Sequence, residues 1–218
     1  MLERERLKSI RLFSGIDEKS IVSLLTCISV QQKDYKKGDC IFMSGDTLNQ
    51  IGLVYQGCVH MVKEDSSGKS SIYVVISEGE LFGETFNCSD SFASTVSFWA
   101  AADCTILYLP FDRVLHACKS DCDLRRQLTV NMIEQIALKN KQFIQKIEII
   151  SKKTIQERVL TYLSLQSNID DNGYFTSSLS RMELADYLCV DRSALTRELS
   201  KLKNEGIIDY DKNTYRLL

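Results

Sequence analysis

No apolar stretch of this 218-residue chain approaches the roughly 18 residues of a membrane span, and its opening, MLERERLKSI, is too charged for a signal peptide. A cytoplasmic protein with no membrane partner is therefore expected, and its eight Cys are expected as free thiols. Net charge is only −2, which excludes an overall basic surface; any nucleic-acid binding has to come from a local arrangement. Histidine is scarce. His60 and His116 lie far apart, so the clustered His of a metal-dependent β-barrel enzyme are missing. No Ser/His/Asp, Cys/His or phosphate-loop signature occurs either, and an enzyme is not expected. Glycine is nearly absent from the second half: eight of ten precede residue 84, and only Gly173 and Gly206 follow. The first half then reads as short segments broken by turns, the second as mostly helical.

What is present fits that division. After an amphipathic opening (Leu7, Ile10, Leu12, Phe13, Ile21, Leu24, Leu25), β-branched and aromatic runs fall at 40–43, 51–55, 59–62, 72–76, 95–101 and 105–109. Gly38-Asp39, Gly45-Asp46, Gln56-Gly57 and Ser66-Ser67-Gly68-Lys69 separate them. Many short strands at this spacing predict a double-sheet barrel or jelly roll. Pro110-Phe111-Asp112 opens a helical region. The expected class is α+β: a jelly-roll (double-stranded β-helix) sensor domain over 1–123, a long dimerisation helix over 124–150, and a winged helix-turn-helix domain over 151–218.

Leu124–Ile150 holds no Gly and no Pro. Thr129, Ile133, Ile136, Asn140, Phe143, Ile147 and Ile150 recur at alternating spacings of four and three, a heptad seam. Such a seam can be a core stripe against its own domain. A two-chain coiled coil is the better reading, because Asn140 on the seam is costly unless it meets its copy. Thr129, Met132, Ile133, Ile136, Asn140, Phe143 and Ile147 are the expected homodimer residues.

Beyond it, a helix is expected over Thr154–Ser167, with Ile155, Val159, Leu160 and Leu163 on one face. Ser180-Arg181-Met182-Glu183 is a capping box that starts a short helix through Leu188, and Asp191 caps a second that stops at Gly206. Ala185 allows close approach, Cys189 takes the turn, and Leu188, Val190, Leu195 and Leu199 supply the core of a helix-turn-helix. Arg192, Ser193, Thr196 and Arg197 then face outward at the start of a helix suited to the major groove of double-stranded DNA. Ser180, Arg181 and Lys201 complete the candidate DNA contacts. A helical hairpin with a solvated face is the alternative, since ten acids balance ten Lys/Arg from residue 151 onward. Ile207-Ile208-Asp209 and Tyr215-Arg216-Leu217 close the chain as a hairpin, or wing.

Taken together, LFSGIDEKSIVSLL, KKGDCIFMSGD, LVYQGCVHMV, GELFGE, the long helix and LADYLCVDRSALTREL resemble the Crp–Fnr transcription regulators over nearly the whole chain. The resemblance implies a homodimer paired through the long helix, two reader domains on a palindromic promoter, and RNA polymerase as a further partner. It places Arg192, Ser193 and Arg197 at the family's base- and phosphate-contacting positions. The family often has Glu, bonding cytosine, where this chain has Ser193.

Relatives that bind cyclic nucleotides use a Gly-Glu pair for the ribose and an Arg-Ser pair about ten residues on for the phosphate. Here Gly83-Glu84 is present, but Ser94-Thr95 stands in place of Arg-Ser. Two hydroxyls do not replace a guanidinium at a buried phosphate, so cyclic AMP is not expected. Gly83-Glu84 is equally readable as a structural remnant. Phe143 and Ile144 would face an effector where relatives offer polar groups to the base. Cys27 and Cys40 do not match the family's iron–sulfur spacing. Cys118 and Cys122, one helical turn apart, leave a redox or metal sensor open, as His60 or His116 leaves haem. By elimination, an unknown small apolar or aromatic effector between barrel and helix is expected, contacting Gly83, Glu84, Ser94, Thr95, Phe143 and Ile144. A sensor module acting through a protein partner is the remaining alternative.

Overall fold

The computed structural model describes residues 3–87, 93–116, 122–166 and 169–218. Packing divides them into two compact units. One runs up to Lys63 and includes Val75–Asn140; the other comprises Glu64–Val74 and Lys141–Leu218.

The first unit opens with α1 (Arg4–Ser9), a single 3-10 turn at Arg11–Phe13, and α2 (Glu18–Cys27). The Asp17 carboxylate caps α2 by accepting from the backbone N–H of Lys19 and Ser20. The strands follow: β1 (Gln31–Tyr35), β2 (Cys40–Phe42), β3 (Gln50–Gln56), β4 (Val59–Glu64), β5 (Ser70–Ile76) and β6 (Leu81–Phe82). After the short helix α3 (Glu84–Asn87) come β7 (Ser97–Ala100), β8 (Cys104–Pro110) and α4 (Phe111–His116). They form two four-stranded sheets, ordered β1-β8-β3-β6 and β2-β7-β4-β5, as the turn spacing predicts. Phe42 and Phe98 of one sheet meet Phe82 and Tyr108 of the other, with ring centroids 5.1–6.3 Å apart. Gly52 is required here, since a Cβ on it would lie 2.2 Å from the Phe82 ring.

A second apolar layer covers the other face of β3 and β8. Leu12, Phe13, Ile16, Ile21 and Leu25 pack with Ile51, Leu53, Leu107 and Leu109. Each such side chain contributes roughly 1.5–3 kcal/mol on burial. Leu128 and Met132 of α5 (Cys122–Ile150) join the same cluster.

Between those apolar positions α5 carries a polar row at four-residue spacing, Gln127, Asn131, Gln135 and Lys139. The last three are buried. Asn131 Nδ2 donates to the carbonyls of Leu12 (2.9 Å) and Ser14 (2.8 Å), and Gln127 Nε2 donates to Asn131 Oδ1 (2.9 Å). Gln135 Nε2 donates to Gly79 O at 2.9 Å, and Lys139 Nζ to Leu81 O. The row thus supplies donors to carbonyls of the 3-10 turn, of Ser14 and Gly79, and of β6.

The second unit holds Glu64–Val74, with most of β5, the C-terminal part of α5 and then α6 (Ile155–Ser164), β9 (Phe175–Thr176), α7 (Arg181–Leu188), α8 (Arg192–Asn204), β10 (Ile208–Asp211) and β11 (Thr214–Leu217). Thr154 with Glu157, and Ser180 with Glu183, form complete capping boxes. α6 stops at Ser164, short of the Ser167 expected from its periodicity. The three strands pair in the order β10-β11-β9. Val159, Leu184, Ala185, Leu188, Leu195, Leu199, Leu202, Ile208 and Tyr215 are buried.

Candidate nucleic-acid interface and sensor cassette

α7, its turn and α8 build the reader. Ala185, Leu188 and Leu195 are at most 1% exposed, so the two helices pack without a gap. Cys189 holds the turn in the left-handed conformation (φ 53°, ψ 48°), a job glycine does at lower steric cost. Two cations hold the same corner. Lys146 Nζ donates to Tyr187 O and lies 4.0 Å above the Tyr187 ring. An Arg158 Nη1 donates to the carbonyls of Leu188 and Cys189, both at 3.1 Å. Positive charge at the C-terminal end of α7 opposes the helix dipole favourably. Burial nonetheless pushes the Lys146 ammonium down to about 8.

With the apolar face of α8 turned inward, Arg192, Ser193, Thr196, Arg197, Ser200 and Lys201 are exposed. Thr196, Arg197, Ser200, Lys201, Asn204 and Glu205 line a shallow groove of about 490 Å³ on that face. At the start of α8, Asp191 Oδ1 accepts from the N–H of Ser193 (2.9 Å) and Ala194 (3.0 Å) and from the Ser193 hydroxyl (2.5 Å). The Ser193 hydroxyl, with these N–H donors, holds the Asp191 carboxyl below its ordinary value.

Two expected contacts have other work. The Ser180 hydroxyl caps α7. The Arg181 guanidinium lies over the rings of Tyr210 (4.9 Å) and Tyr215 (5.8 Å) and donates to Lys212 O, fixing the wing to α7. Lys203 and Tyr174 bond Asp209 at 2.8 and 2.6 Å, which holds its carboxyl at about 2 and ties β10 to α8. These pairings, Arg158 and Lys146 could not be read from spacing.

In the first unit, Gly83 sits at φ +81° and hands the chain to α3. Glu84 is 4% exposed, and its Oε1 pairs with Lys139 Nζ of α5 at 3.1 Å; Oε2 has no hydrogen-bond partner among the described residues. The cassette carboxylate is thus engaged by the chain's own lysine, a residue the sequence reading missed. Ser94 is buried, and its hydroxyl donates to Val96 O (2.6 Å) while accepting from Val96 N–H (3.3 Å). Thr95 is exposed, and its carbonyl accepts from Lys63 Nζ. A cyclic phosphate would find no guanidinium here, and the residues present do not fit a cyclic nucleotide.

Among the described residues Cys27, Cys40, Cys58, Cys104 and Cys189 are free thiols, and no three or more metal-ligating side chains come together. Burial pushes the Cys40 thiol up, and the Cys104 thiol up to about 11. His60 is buried and has interactions of its own. The side chains of His116 and Cys122, and all of Cys118, lie outside the described residues.

The exposed row of α5 matches the expected seam only in part. Met132 is 6% exposed within the core of its own unit and cannot face a partner chain. Thr129, Ile136 and Phe143 are half-buried. The exposed row is Val130, Ile133, Ala137, Asn140, Ile144 and Ile147, again at alternating spacings of three and four. Ile144 is 66% exposed and lies on this row.

Capped helices, a tight turn, an exposed hydroxyl and arginine face and a three-stranded wing define a winged helix-turn-helix reader carried with a nucleotide-pocket-like barrel. The comparisons agree. The Cyclic nucleotide-binding domain family matches residues 32–121, and the Crp-like helix-turn-helix domain family matches 157–218. Transcriptional activator protein FnrA of Stutzerimonas stutzeri is 26% identical over 188 residues, 84% of this chain and 75% of FnrA. Electron transport regulator A of Shewanella oneidensis is 22% identical over 184 residues, 82% of this chain and 71% of that one. FixK2 from Bradyrhizobium japonicum shares the fold at TM-score 0.66 and 20% identity, covering 86% of this chain and 92% of FixK2. The regulator CLP of Xanthomonas campestris does so at TM-score 0.74 and 18% identity, covering 92% and 99%. The chain belongs to the Crp–Fnr family. It is a transcription regulator of this type with a helix-turn-helix DNA-binding domain, and the relatives it matches are regulators rather than enzymes.

Proposed function

We propose that the chain acts as a homodimer that reads a palindromic promoter site in double-stranded DNA, with α8 in the major groove and RNA polymerase as its downstream partner. The observation that carries this is α8 itself. Leu195, Leu199 and Leu202 are fully buried while Arg192, Ser193, Thr196 and Arg197 are exposed beyond a capped N-terminus. Pairing through the exposed row of α5 is supported by its heptad spacing and by Asn140, which would meet its copy across a two-fold axis. Residues 1–123, 124–150 and 151–218 are the working domains of this proposal. The site of action is the cytoplasm; among the described residues no helix is long and apolar enough to cross a membrane.

The controlling ligand is a small effector other than cyclic AMP. The Lys139–Glu84 pair and the closed Ser94 turn support that choice, because they occupy the groups a cyclic nucleotide would need. Calorimetry with cyclic AMP is expected to show no specific heat; micromolar binding would overturn this part. Titration of the full chain against duplexes from its own promoter region, followed by fluorescence anisotropy, tests the rest. Saturable binding that weakens steeply with salt and resists random-sequence competitor is expected. Equal binding to all duplexes would contradict sequence reading.

A further inference from the structure

We propose that Lys146 and Arg158 are positioning residues for the recognition helix. Together they clamp the α7–α8 turn to the end of α5, so that α5, and not the reader alone, sets the spacing of the two half-sites. This rests on the paired readers proposed above. The last carbonyls of a helix have no partner within it. At the end of α7 three consecutive ones are taken by cations from two other helices. Lys146 Nζ of α5 donates to Tyr187 O, and Arg158 Nη1 of α6 donates to Leu188 O and Cys189 O at 3.1 Å each. Arg158 Nε also donates to Lys152 O at 3.0 Å, in the connection between α5 and α6. One planar guanidinium thus joins that connection to the turn from which α8 starts, and its fork fixes the angle between them.

A simple helix cap would need neither the burial nor the second tie. Lys146 is 4% exposed and lies 4.0 Å above the Tyr187 ring, so its ammonium has given up water to sit there. Cys189 is held left-handed without being glycine, a conformation that persists where surrounding contacts over-determine it. The turn of α5 that carries Lys146 inward carries Ile144 and Ile147 outward, 66% and 60% exposed, on the row proposed to meet the partner chain. Pairing and reading therefore meet within one helical turn, and the distance between two copies of α8 follows from where α5 ends.

The test reads spacing as well as affinity. The full-length wild type selects a palindrome from a randomised library, and binding is then measured on duplexes with that spacer and with one base pair added or removed. One base pair moves a half-site by about 3.4 Å and turns it by roughly 35°. A rigid pair of readers should lose roughly tenfold on either altered duplex, as much as for a mismatched base pair. Lys146→Met and Arg158→Lys should each lower that discrimination severalfold while the preferred bases within a half-site stay the same. Arg158→Lys keeps the charge but loses the fork. Lys146→Met removes a buried charge without stranding a partner charge, so it is expected to fold, and it alone decides if Arg158→Lys does not. Asp209→Asn loosens β10 from α8 without touching the clamp; it should melt earlier and keep the wild-type spacing discrimination. Equal binding of the wild type across spacers, wild-type discrimination in either folded clamp variant, or its loss in Asp209→Asn as well, overturns the inference while leaving the reader in place. Recovery of no common sequence, or of single half-sites only, overturns the proposed function instead.

Discussion

Lys139 and Glu84 are both about 95% buried, with side chains 6% and 5% exposed, and they face each other at 3.1 Å. Replacing Lys139 by Met keeps the aliphatic stem but leaves the Glu84 carboxylate buried without its cation. Breaking a buried pair in this way costs about 3–5 kcal/mol. The Leu81 carbonyl also loses its donor, at about 1 kcal/mol. In the double variant Lys139→Met/Glu84→Gln the second cost remains, but the stranded charge is gone. The single variant should therefore be less stable than the double by about 2–4 kcal/mol. At a typical urea dependence that separates their midpoints by roughly 1–2 M. Trp99, the chain's one tryptophan, is partly exposed on β7 of the same unit and reports the transition by fluorescence. Coincident midpoints for the single and double variants would show that the pair is not held in solution, and the account of the closed cassette would fall with it.

Three further outcomes follow from other parts of the molecule. Ile133→Glu with Ile144→Glu places charges on the exposed row of α5, and the full-length protein should sediment as a monomer at micromolar concentration while keeping its helical signal; an intact dimer would move the interface elsewhere. Arg197→Ala should weaken specific duplex binding by about 1–3 kcal/mol if it contacts a base, and an unchanged affinity removes it from the interface. Lys146 has its folded value lowered from 10.5 to about 8 by burial, so above pH 8 the unfolded chain holds more protons than the native one and stability rises with pH toward 10.5. Lys146→Met should abolish that rise; the wild type should gain stability relative to the variant from pH 7 to pH 9.5, and a constant difference would contradict the burial of charge.

The reader was legible because its signals are local. Capping boxes, the Asp191 cap and the Leu spacing need no knowledge of the rest of the fold. The strands of the barrel were legible where they alternate with turns, and β1 was not, because Gln31–Asp34 are exposed on an edge strand and carry no apolar pattern. The long helix was found, and its exposed row was read in part, at Ile133, Asn140 and Ile147. Isoleucines and a methionine occur all round it, and only the packing of the first unit decides that Met132 turns inward. Gln127, Asn131, Gln135 and Lys139 read as an ordinary solvated face, since nothing in a four-residue polar repeat shows that buried carbonyls wait opposite it. Arg181 likewise reads as a DNA contact until the wing supplies two aromatic rings for it.

The central claim is a two-fold pair of readers on one duplex. Hydroxyl-radical footprinting of the full-length protein on its selected palindrome tests it most directly. Two symmetric protections centred about one helical turn apart are predicted, both lost with the Ile133→Glu/Ile144→Glu variant. A single protected patch, or two patches that survive in the monomeric variant, would contradict it.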